Sequence, residues 1–549
     1  MPLLKIANGR LYDPANGVDG QVADLWIESG RIVAAPEAGV RAERTIDATG
    51  LVVMPGGVDM HCHIAGSKVN TSRRMRPETR QSVRAPQDGF RSGSTGIVPS
   101  SFTTGYLYAG LGYTTAFDAA VPPLSALHVH EEFADTPILD KGFFLVLGDH
   151  QYLLSQISKG DHEQARNLIG WIVNAAKGYG VKVVNPGGVE VWKQNSGPIR
   201  SLDDVVPGYG VTPRQIVREI ARSVDELGLP HAMHLHCTNL GLPGNATTTL
   251  ETMQALEGHR AHLAHIQFHS YGGNADDQAT FCSRVPELVD YVATHSNITV
   301  DVGQVLFGPA TAMTGDSALG YFLHRRLGGK WFSSDLEMEA GCGIVPITYR
   351  QKSLVHALQW AIGLEWYLLM PDPWRIAMST DHPNGAAFLA YPQIIALLMD
   401  RHRRDDLLKT LPEAVRNHCT LPDITREYTL FEIAIITRAA PARILGLKQK
   451  GHLGIGADAD VTLYQPDSDV QKMFELPRYL ISGGEVVLDD GELRSQPDGH
   501  VLITAPEYDQ AILPRVESWF NDHYSLRFNN YGVDDEFIPT AVRVPSTPL

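Results

Sequence analysis

Between residues 54 and 430 the chain alternates short apolar segments with longer amphipathic ones, and this alternation limits its fold more than any other feature. The amphipathic segments have helical periodicity, as in TPRQIVREIARSVDELG. The apolar segments have the length of buried strands; they include TTAFDAA, GFFLVL, VKVVN, HAMHLHC, AHLAHIQFH, ITVDVG and WRIAMSTD. Strands that alternate with helices predict βαβ units and a parallel sheet. The number of strands predicts an α/β fold with a (β/α)8 barrel of the TIM type.

Both ends of the chain have a different pattern. Alternating apolar and polar residues, broken by turn signals such as Asn-Gly and Ser-Gly, predict short strands before residue 54 and after residue 430. We expect residues 1–53 and 431–505 to form one small β-domain and residues 54–430 to form the barrel. Residues 506–549 form an extension rich in aromatic residues, for which we predict a contact with another protein of a complex.

Composition and charge exclude several functions. The net charge of −16 argues against nucleic acid or an anionic membrane as a partner. Five scattered cysteines without a C-x-x-C pair argue for a reducing compartment. The sequence has no apolar run of about 18 residues and no signal-peptide pattern at its N-terminus. We therefore expect a cytoplasmic protein.

Residues that can bind metals stand at the ends of the predicted strands. His61 and His63 are two residues apart, so both side chains point to the same side of a strand and could share one ion. In (β/α)8 enzymes the chemistry lies where the strands end. The other candidates at strand ends are Lys182, His234, His236, His265, His269 and Asp381.

Each candidate also has a structural interpretation. A single histidine in a strand can be a hydrogen-bonded core residue, a lysine there can extend to solvent, and Asp381 could begin a turn. The order of the residues favours a metal centre, because His-x-His, Lys, His, His and Asp fall on successive βα units.

This order resembles the amidohydrolase superfamily, in particular its members with two metal ions. The segment TRAAPARILGLKQKGHLGIGADADVTLY resembles the superfamily's C-terminal signature, although Ala440 stands where asparagine is common. The segment ATGLVVMPGGVDMHCH resembles its entry into the first strand.

Within the superfamily, longer blocks resemble the A-type subunits of formylmethanofuran dehydrogenases and of bacterial formyltransferase/hydrolase complexes. The resemblance covers residues 1 to about 500, with a weak preference for the bacterial branch. The blocks include MPGGVDMHCHIAGSKVN, GVKVVNPGGVEVWK, HLHCTNLGLPGN, HIQFHSYGG, VDVGQVLFG and DPWRIAMSTDHPNGAAFLAYPQII. This resemblance implies partner subunits and a furan-type one-carbon carrier as substrate.

The resemblance also implies a centre of two divalent metal ions, with zinc as the expected metal. His61, His63 and Asp381 would hold the first ion. His236 and His265 would hold the second, with His234 and His269 as open alternatives. Lys182, carboxylated by CO2, would bridge both ions, and Lys177 is the competing lysine. Burial among valines would favour this reaction of Lys182 because it lowers the pKa of the amine.

The implied reaction is hydrolysis of the N-formyl group of a formyl-methanofuran-type carrier to formate and a free amine. Asp381 would accept a proton from the attacking water and return it to the leaving amine. The alternatives are a cyclic amidase or N-acyl-amino-acid hydrolase, the same site in the condensing direction, and a scaffold without activity. The filled ligand positions weigh against a scaffold.

A basic segment follows the first pair of histidines. Residues 71–104 contain six arginines: Arg73, Arg74, Arg76, Arg80, Arg84 and Arg91. In an acidic protein this suggests a contact with an anionic substrate tail, and a solvated loop is the alternative. We predict that Lys68, Asn70, Arg73 and Arg74 contact the carrier.

Overall fold

The computed structural model describes residues 3–80, 83–84, 90–194, 199–274, 276–334 and 342–547. The strands are β1 (Leu4–Asp13), β2 (Val18–Glu28), β3 (Arg31–Val33), β4 (Arg44–Asp47), β5 (Val52–Pro55), β6 (Gly57–Cys62), β7 (Val83–Arg84), β8 (Gly93–Ser94), β9 (Tyr113–Val121), β10 (Asp140–Val146), β11 (Gly180–Val184), β12 (Met233–His236), β13 (Ala261–Leu263), β14 (Tyr271–Asn274), β15 (Asp277–Ser283), β16 (Ile298–Asp301), β17 (Gly308–Thr314), β18 (Phe332–Ser334), β19 (Cys342–Tyr349), β20 (Ile376–Ala377), β21 (Val461–Tyr464), β22 (Tyr479–Ser482), β23 (Glu485–Asp489), β24 (Glu492–Leu493), β25 (Val501–Ile503) and β26 (Ala541–Arg543). The α-helices are α1 (Ser67–Met75), α2 (Ser101–Ala109), α3 (Ala126–Ala134), α4 (Gln151–Lys159), α5 (His162–Ala175), α6 (Gly188–Lys193), α7 (Pro213–Glu226), α8 (Asn245–Ala255), α9 (Val285–Thr294), α10 (Ser317–Leu327), α11 (Leu354–Leu369), α12 (Tyr391–Met399), α13 (Arg401–Thr410), α14 (Ala414–Asn417), α15 (Leu430–Ala434), α16 (Ala440–Leu445), α17 (Val470–Glu475) and α18 (Leu513–His523).

Eight parallel strands form a barrel in the order β6, β9, β10, β11, β12, β13, β16 and β20. The barrel closes where the N–H of His63 donates to the carbonyl of His382 (2.8 Å). Every residue of β9 and β10 is buried, as expected for strands covered on both faces. The predicted (β/α)8 barrel is confirmed.

The helix α7 shows how local sequence sets the outer layer. The Thr212 hydroxyl accepts from the N–H of Gln215, whose side chain in turn accepts from the N–H of Thr212. Pro213 occupies the first helical position, where its missing N–H leaves no bond unmade. The apolar residues of the helix then lie on the face toward the barrel.

A second sheet of nine strands joins both ends of the chain. It contains β1–β5 and β21–β24, and its two halves meet where β5 pairs antiparallel with β21. Two segments that we expected in this small domain lie on the barrel instead. Residues 430–445 are helical, and β25 pairs with β10 at Lys141. The start of β10 is free for β25 because β11 begins to pair with β10 only at Phe144.

The aromatic C-terminal segment packs against this chain's own barrel. The rings of Phe528 and Trp171 stack at 4.6 Å, and Phe520 is fully buried beside Trp171. Residues of the tail therefore cover α5, an interaction that our prediction of an intermolecular contact did not include. Phe537, which is 56% exposed, remains available for such a contact.

An excursion between β16 and β20 lies beside the start of the first βα unit. Its three-stranded sheet (β17, β19 and β18) and α10 contact one another, and β17 and β19 also contact α1. The two ends of the basic segment are helical rather than loops, since they belong to α1 and α2. Across the described ranges, no helix is long and apolar enough to cross a membrane.

Candidate metal centre

His61, His63 and Asp381 meet at the C-terminal end of the barrel. Asp381 Oδ1 lies 3.1 Å from Nε2 of His61 and 3.1 Å from Nε2 of His63. All three side chains are buried. Their ligand atoms lie within 4.8 Å of one another, a spacing that one metal ion can bridge. The structure thus brings together the three residues predicted for the first ion.

Two buried aspartates hold this first pair of histidines. Asp59 accepts the N–H of His61 (3.0 Å) and the hydroxyls of Tyr108 and Tyr391. Asp118 accepts the N–H groups that follow His63, from Ile64 (2.8 Å) and Ala65 (3.1 Å). The His-x-His strand end is therefore fixed before any ligand binds.

Lys182 projects into the same interior from β11. Its side chain is buried, and its Nζ has no hydrogen-bond partner among the described residues. Burial lowers the pKa of this amine to about 8, against the opposing effect of Asp381 and Asp301. A neutral amine is the form that reacts with CO2.

His236, His265 and His269 form a second cluster. The rings of His236 and His265 lie 4.7 Å apart edge to face, and His269 lies 5.3 Å from His265. Burial, followed by the neighbouring His265 and His269, lowers the pKa of His236 well below its usual value. The imidazoles are therefore neutral, as ligation requires. The structure places His269 in the cluster as well, so His265 and His269 both stay candidate ligands of the second ion.

Unpartnered atoms test whether this chain fits a pair of metal ions. Within the described part of the chain, one ring nitrogen or amine of each of four predicted ligands is buried without a hydrogen bond: His61 Nε2, Lys182 Nζ, His236 Nε2 and His265 Nδ1. Buried polar atoms are normally paired, and such a set on four strands needs an explanation. Nitrogen and carboxylate donors at these strand ends fit divalent metal ions.

Charge at the first half-site also favours a cation. Burial opposes a charge on His61, but Asp301 and Asp381 outweigh it and raise the pKa of His61 to about 9. Burial also opposes a charge on Asp381 and by itself would raise its pKa. The neighbouring His61 and His265 outweigh this effect and hold the pKa of Asp381 well below its usual value. Positive charge at Nε2 of His61, whether a proton or a metal ion, is thus stabilised.

The backbone is strained at two of the predicted ligands. His265 and Asp381 have φ values of 36° and 49°, in the left-handed region that non-glycine residues rarely adopt. Gly303 packs between them, and a Cβ at this position would overlap the Cβ of His265. Asn384 secures Asp381 by donating from Nδ2 to its Oδ1 (2.9 Å).

His234 lies deeper in the barrel than the predicted ligands. Its Nδ1 lies 3.0 Å from Nε2 of His231, and its Nε2 lies 3.2 Å from Nδ1 of His61. Both ring nitrogens of His234 thus have partners, unlike Nε2 of His236. The unbonded Nε2 supports His236 as the ligand from β12, while the ligand atoms of His61, His234 and Asp301 also lie within 4.8 Å of one another, so His234 stays an alternative.

Sequence reasoning missed several residues of the centre. Asp301 ends β16, and its carboxylate contacts His61 Nδ1 (2.9 Å) and His262 Nε2 (3.1 Å). Asp316 is buried 3.8 Å from His236 Nε2 and accepts from Asn185, and burial raises its pKa to about 6. The signal for Asp301 was present, because it ends the apolar strand in ITVDVG as Asp381 follows its own strand.

Three of the four residues predicted to contact the carrier have partners within the chain. Lys68 is buried, and its Nζ contacts the Ala120 carbonyl and lies 3.1 Å from Nδ1 of His63. The side chain of Asn70 donates to Glu132 and accepts from Arg73, whose Nε donates to the Pro99 carbonyl (2.8 Å). The side chain of Arg74 is exposed. Their predicted contact with a carrier stays a prediction. The side chains of Arg80 and Arg84 lie outside the described residues.

Comparison with known proteins shows the family to which the chain belongs. A family described as Amidohydrolase family matches residues 44–488 of the chain. The chain belongs to the amidohydrolase family. The amidohydrolases of known structure that it matches include an N-acyl-D-glutamate deacylase from Bordetella bronchiseptica, with 15% identity and a TM-score of 0.51 over 91% of this chain and 98% of that one, a likeness of fold alone.

Two more similar relatives align along nearly the whole chain. This amidohydrolase is 40% identical to Protein FwdA of Methanocaldococcus jannaschii, over 99% of each chain. It is also 40% identical to the A-type subunit of the formyltransferase/hydrolase complex Fhc of Methylorubrum extorquens, over 98% of this chain and 97% of that protein. The crystal structure of the FhcABCD complex from that organism, with methylofuran, contains a chain with 39% identity, a TM-score of 0.93 and coverage of 99% and 100%. The chain therefore belongs to the same family as these proteins.

Proposed function

We propose that this amidohydrolase is the hydrolytic component of a formyltransferase/hydrolase-type complex. Its reaction is the hydrolysis of the N-formyl group of a formyl-methanofuran-type carrier to formate and the free amine. The observation that carries the proposal is the full-length similarity to the A-type Fhc subunit, with a TM-score of 0.93 to a chain of the complex that binds methylofuran. Partner subunits and a furan-type carrier follow from the same similarity, and a cytoplasmic location stays a prediction.

The proposed ligand set follows the sequence prediction. His61, His63 and Asp381 would hold one ion, His236 and His265 would hold the other, and a carboxylated Lys182 would contribute to both. We propose zinc for both ions. The nitrogen and oxygen donors and the orphaned atoms described above support this arrangement.

Lys182 can bridge only after it is carboxylated. Its neutral amine attacks CO2, a C–N bond forms, and the amine loses a proton to give a carbamate anion with two oxygens. The pKa of about 8 leaves a substantial neutral fraction near neutral pH. Bicarbonate in the buffer supplies the CO2.

The chain's own residues then position and move protons. Two such ions, when bound, supply Lewis acidity to the formyl carbonyl and to the attacking water. Asp381 accepts the proton of the water through a carboxylate that Asn384 holds in place (2.9 Å). It returns this proton to the nitrogen of the leaving amine when the C–N bond breaks. The sum is formamide plus water giving formate plus amine, without an electron transfer.

The condensing direction is a second candidate. The identity to Protein FwdA is also 40% over nearly the full length, so the same residues could join formate to the amine. The hydrolytic and condensing reactions share one transition state, and the supply of formate or formyl carrier decides the direction. Product analysis from each side separates them.

The test uses the purified protein with its co-purifying subunits in a buffer that contains zinc and bicarbonate. Three kinds of substrate are compared: an N-formyl furfurylamine compound, hydantoin and N-acyl amino acids. We expect formate from an N-formyl furfurylamine compound and no hydrolysis of hydantoin or N-acyl amino acids. Asp381→Asn keeps the side-chain size and should reduce formate release by about 1,000-fold or more, as for loss of a proton-transfer group that is also a ligand. Hydrolysis of only the hydantoin or acyl substrates would contradict the proposal.

The anionic tail of the carrier has its own test. Arg74 is exposed at the end of α1, beside Lys330, whose Nζ donates to the Met75 carbonyl (2.9 Å). We expect Arg74→Ala to raise KM for a carrier with a glutamate tail and to leave KM for tail-free N-formyl furfurylamine unchanged. Equal KM changes for both substrates would contradict a tail contact.

A further inference from the structure

A chain of buried polar groups lies beneath the first half-site, and the proposed reaction does not use it directly. It runs from the Ile444 carbonyl through His231 and His234 to His61 and ends at Asp301. Apart from the carbonyl, each of these groups is almost inaccessible to solvent. Because each link of the chain joins a ring nitrogen to a neighbour within hydrogen-bond distance, the position of each ring proton can be followed along the chain.

The first link fixes the tautomer of His231. Its Nδ1 lies 3.1 Å from the Ile444 carbonyl, which only accepts, so Nδ1 carries the proton. Nε2 of His231 is then bare and accepts from Nδ1 of His234 (3.0 Å). Nε2 of His234 is bare in turn, 3.2 Å from Nδ1 of His61.

The last link fixes His61. Its Nδ1 faces two acceptors, Nε2 of His234 and Oδ2 of Asp301 at 2.9 Å, so it carries the proton. With the proton on Nδ1, Nε2 of His61 is the nitrogen left to bind a cation, and it lies 3.1 Å from Asp381 Oδ1 without a hydrogen bond in the described part of the chain. Two acceptors at this separation repel each other unless a cation lies between them.

Asp301 also reaches the other parts of the centre. Its Oδ1 accepts the N–H of His265 (3.1 Å) and the hydroxyl of Ser379, two residues before Asp381. Its Oδ2 accepts from His61 and from His262, whose Nδ1 is held by Thr299 (2.8 Å). Both oxygens are thus fully used, and one carboxylate contacts segments that carry ligands of both ions.

We infer that Asp301 is the positioning residue that joins the two half-sites. With His231, His234 and His262, it holds His61 in the tautomer that presents a bare Nε2 to the first ion. The inference rests on the two-ion site of the proposed function but not on its substrate. Groups that orient ligands in this way typically change metal affinity by about 10–100-fold.

The variant Asp301→Asn tests this inference. Asparagine keeps the shape but replaces one accepting oxygen with a donor, so two of the four donors around it lose their partner. We expect the affinities for both zinc ions, measured by competition with a chelator, to fall by about 10–100-fold. Asp225→Asn is the matched control: Asp225 is a buried acid on α7 that binds Arg260, and its loss should leave zinc affinity unchanged.

Two further measurements keep the test decisive. If Asp301→Asn does not fold, His262→Leu removes one donor to the carboxylate and should still weaken the binding of both zinc ions. Ring-labelled histidine in the zinc-loaded wild type, observed through long-range 1H–15N correlations, should show the proton on Nδ1 of His61, His231 and His234. Unchanged zinc affinity in a folded Asp301→Asn protein, weakening of one ion alone, or a proton on Nε2 of His231 would overturn the inference. None of these readouts uses a substrate, so they can fail while formate release stands.

Discussion

The proposed two-ion arrangement depends on Lys182. Its amine nitrogen Nζ is buried and has no hydrogen-bond partner among the described residues, and the pKa of this amine is about 8. Below that pH the amine is protonated and cannot attack CO2, and above it the neutral form dominates. We therefore expect the rate at which the metal-free protein is reconstituted with zinc, at a constant concentration of dissolved CO2, to rise with pH, with a midpoint near 8.

The variant Lys182→Ala tests the same residue. It should lose at least one zinc ion per chain by elemental analysis and about 1,000-fold or more of the formate-releasing activity. A short carboxylic acid such as acetate can enter the space that the side chain leaves and bridge the ions, so it should restore part of both. Wild-type zinc content and activity in Lys182→Ala would contradict a bridging role.

Gly303 allows the strained backbone of His265 and Asp381. A methyl group at this position overlaps the Cβ of His265. We expect Gly303→Ala to lower stability by about 1–3 kcal/mol and to reduce zinc content, because the second half-site must shift. Gly328→Ala is the matched control, since φ is 66° at Gly328 and an added Cβ would meet no neighbouring atom within 4 Å. It should lower stability through the backbone strain alone and leave the zinc content unchanged.

The sequence predicted the strands of the barrel more accurately than the segments that pack on the outside of the barrel. Alternating apolar and amphipathic segments identified all of the long barrel strands. Residues 430–445 are helical because an apolar run with β-branched residues suits a buried helix as well as a strand. The contact between His61 and Asp301 joins residues 240 positions apart, and no local pattern carries that register.

The C-terminal tail gives a prediction at this scale. Phe520 is fully buried against Trp171, whereas Phe537 is 56% exposed. We expect Phe520→Ala to destabilise the protein by about 3–5 kcal/mol and Phe537→Ala to stay within about 0.5 kcal/mol of the wild type. Urea unfolding followed by tryptophan fluorescence measures both. Equal stability of the two variants would show that the tail does not pack on α5 in solution.

At the scale of the whole molecule, one lysine joins the small sheet to the barrel. Lys450 is buried, and its Nζ contacts Asp140 at the start of β10, Asp458 (3.1 Å) and Asp460 (2.7 Å). Burial opposes the charge of Lys450, but the three carboxylates outweigh it and raise its pKa well above the usual value. These aspartates could be taken for a metal site, but the lysine already supplies the cation.

Removal of this lysine should destabilise the whole chain. Lys450→Met leaves buried carboxylates without a cation, at about 3–5 kcal/mol for a broken buried pair. The carboxyl pKa values then rise above their unfolded values, so protonation favours the folded variant. We expect the deficit relative to wild type to shrink as the pH falls from 7 toward 4, measured as the difference in thermal midpoint. A deficit independent of pH would contradict the electrostatic origin.

If this chain adds water to an N-formyl group, one oxygen of the released formate comes from water. The most direct measurement is the isotope content of formate released from N-formyl furfurylamine in H2 18O by the zinc-loaded protein with its co-purifying subunits. Hydrolysis predicts one atom of 18O in each formate at early time, a free amine in equal amount, and formate release from Asp381→Asn that is slower by about 1,000-fold or more. Formate without 18O, or no formate alongside rapid hydrolysis of hydantoin, would contradict the account.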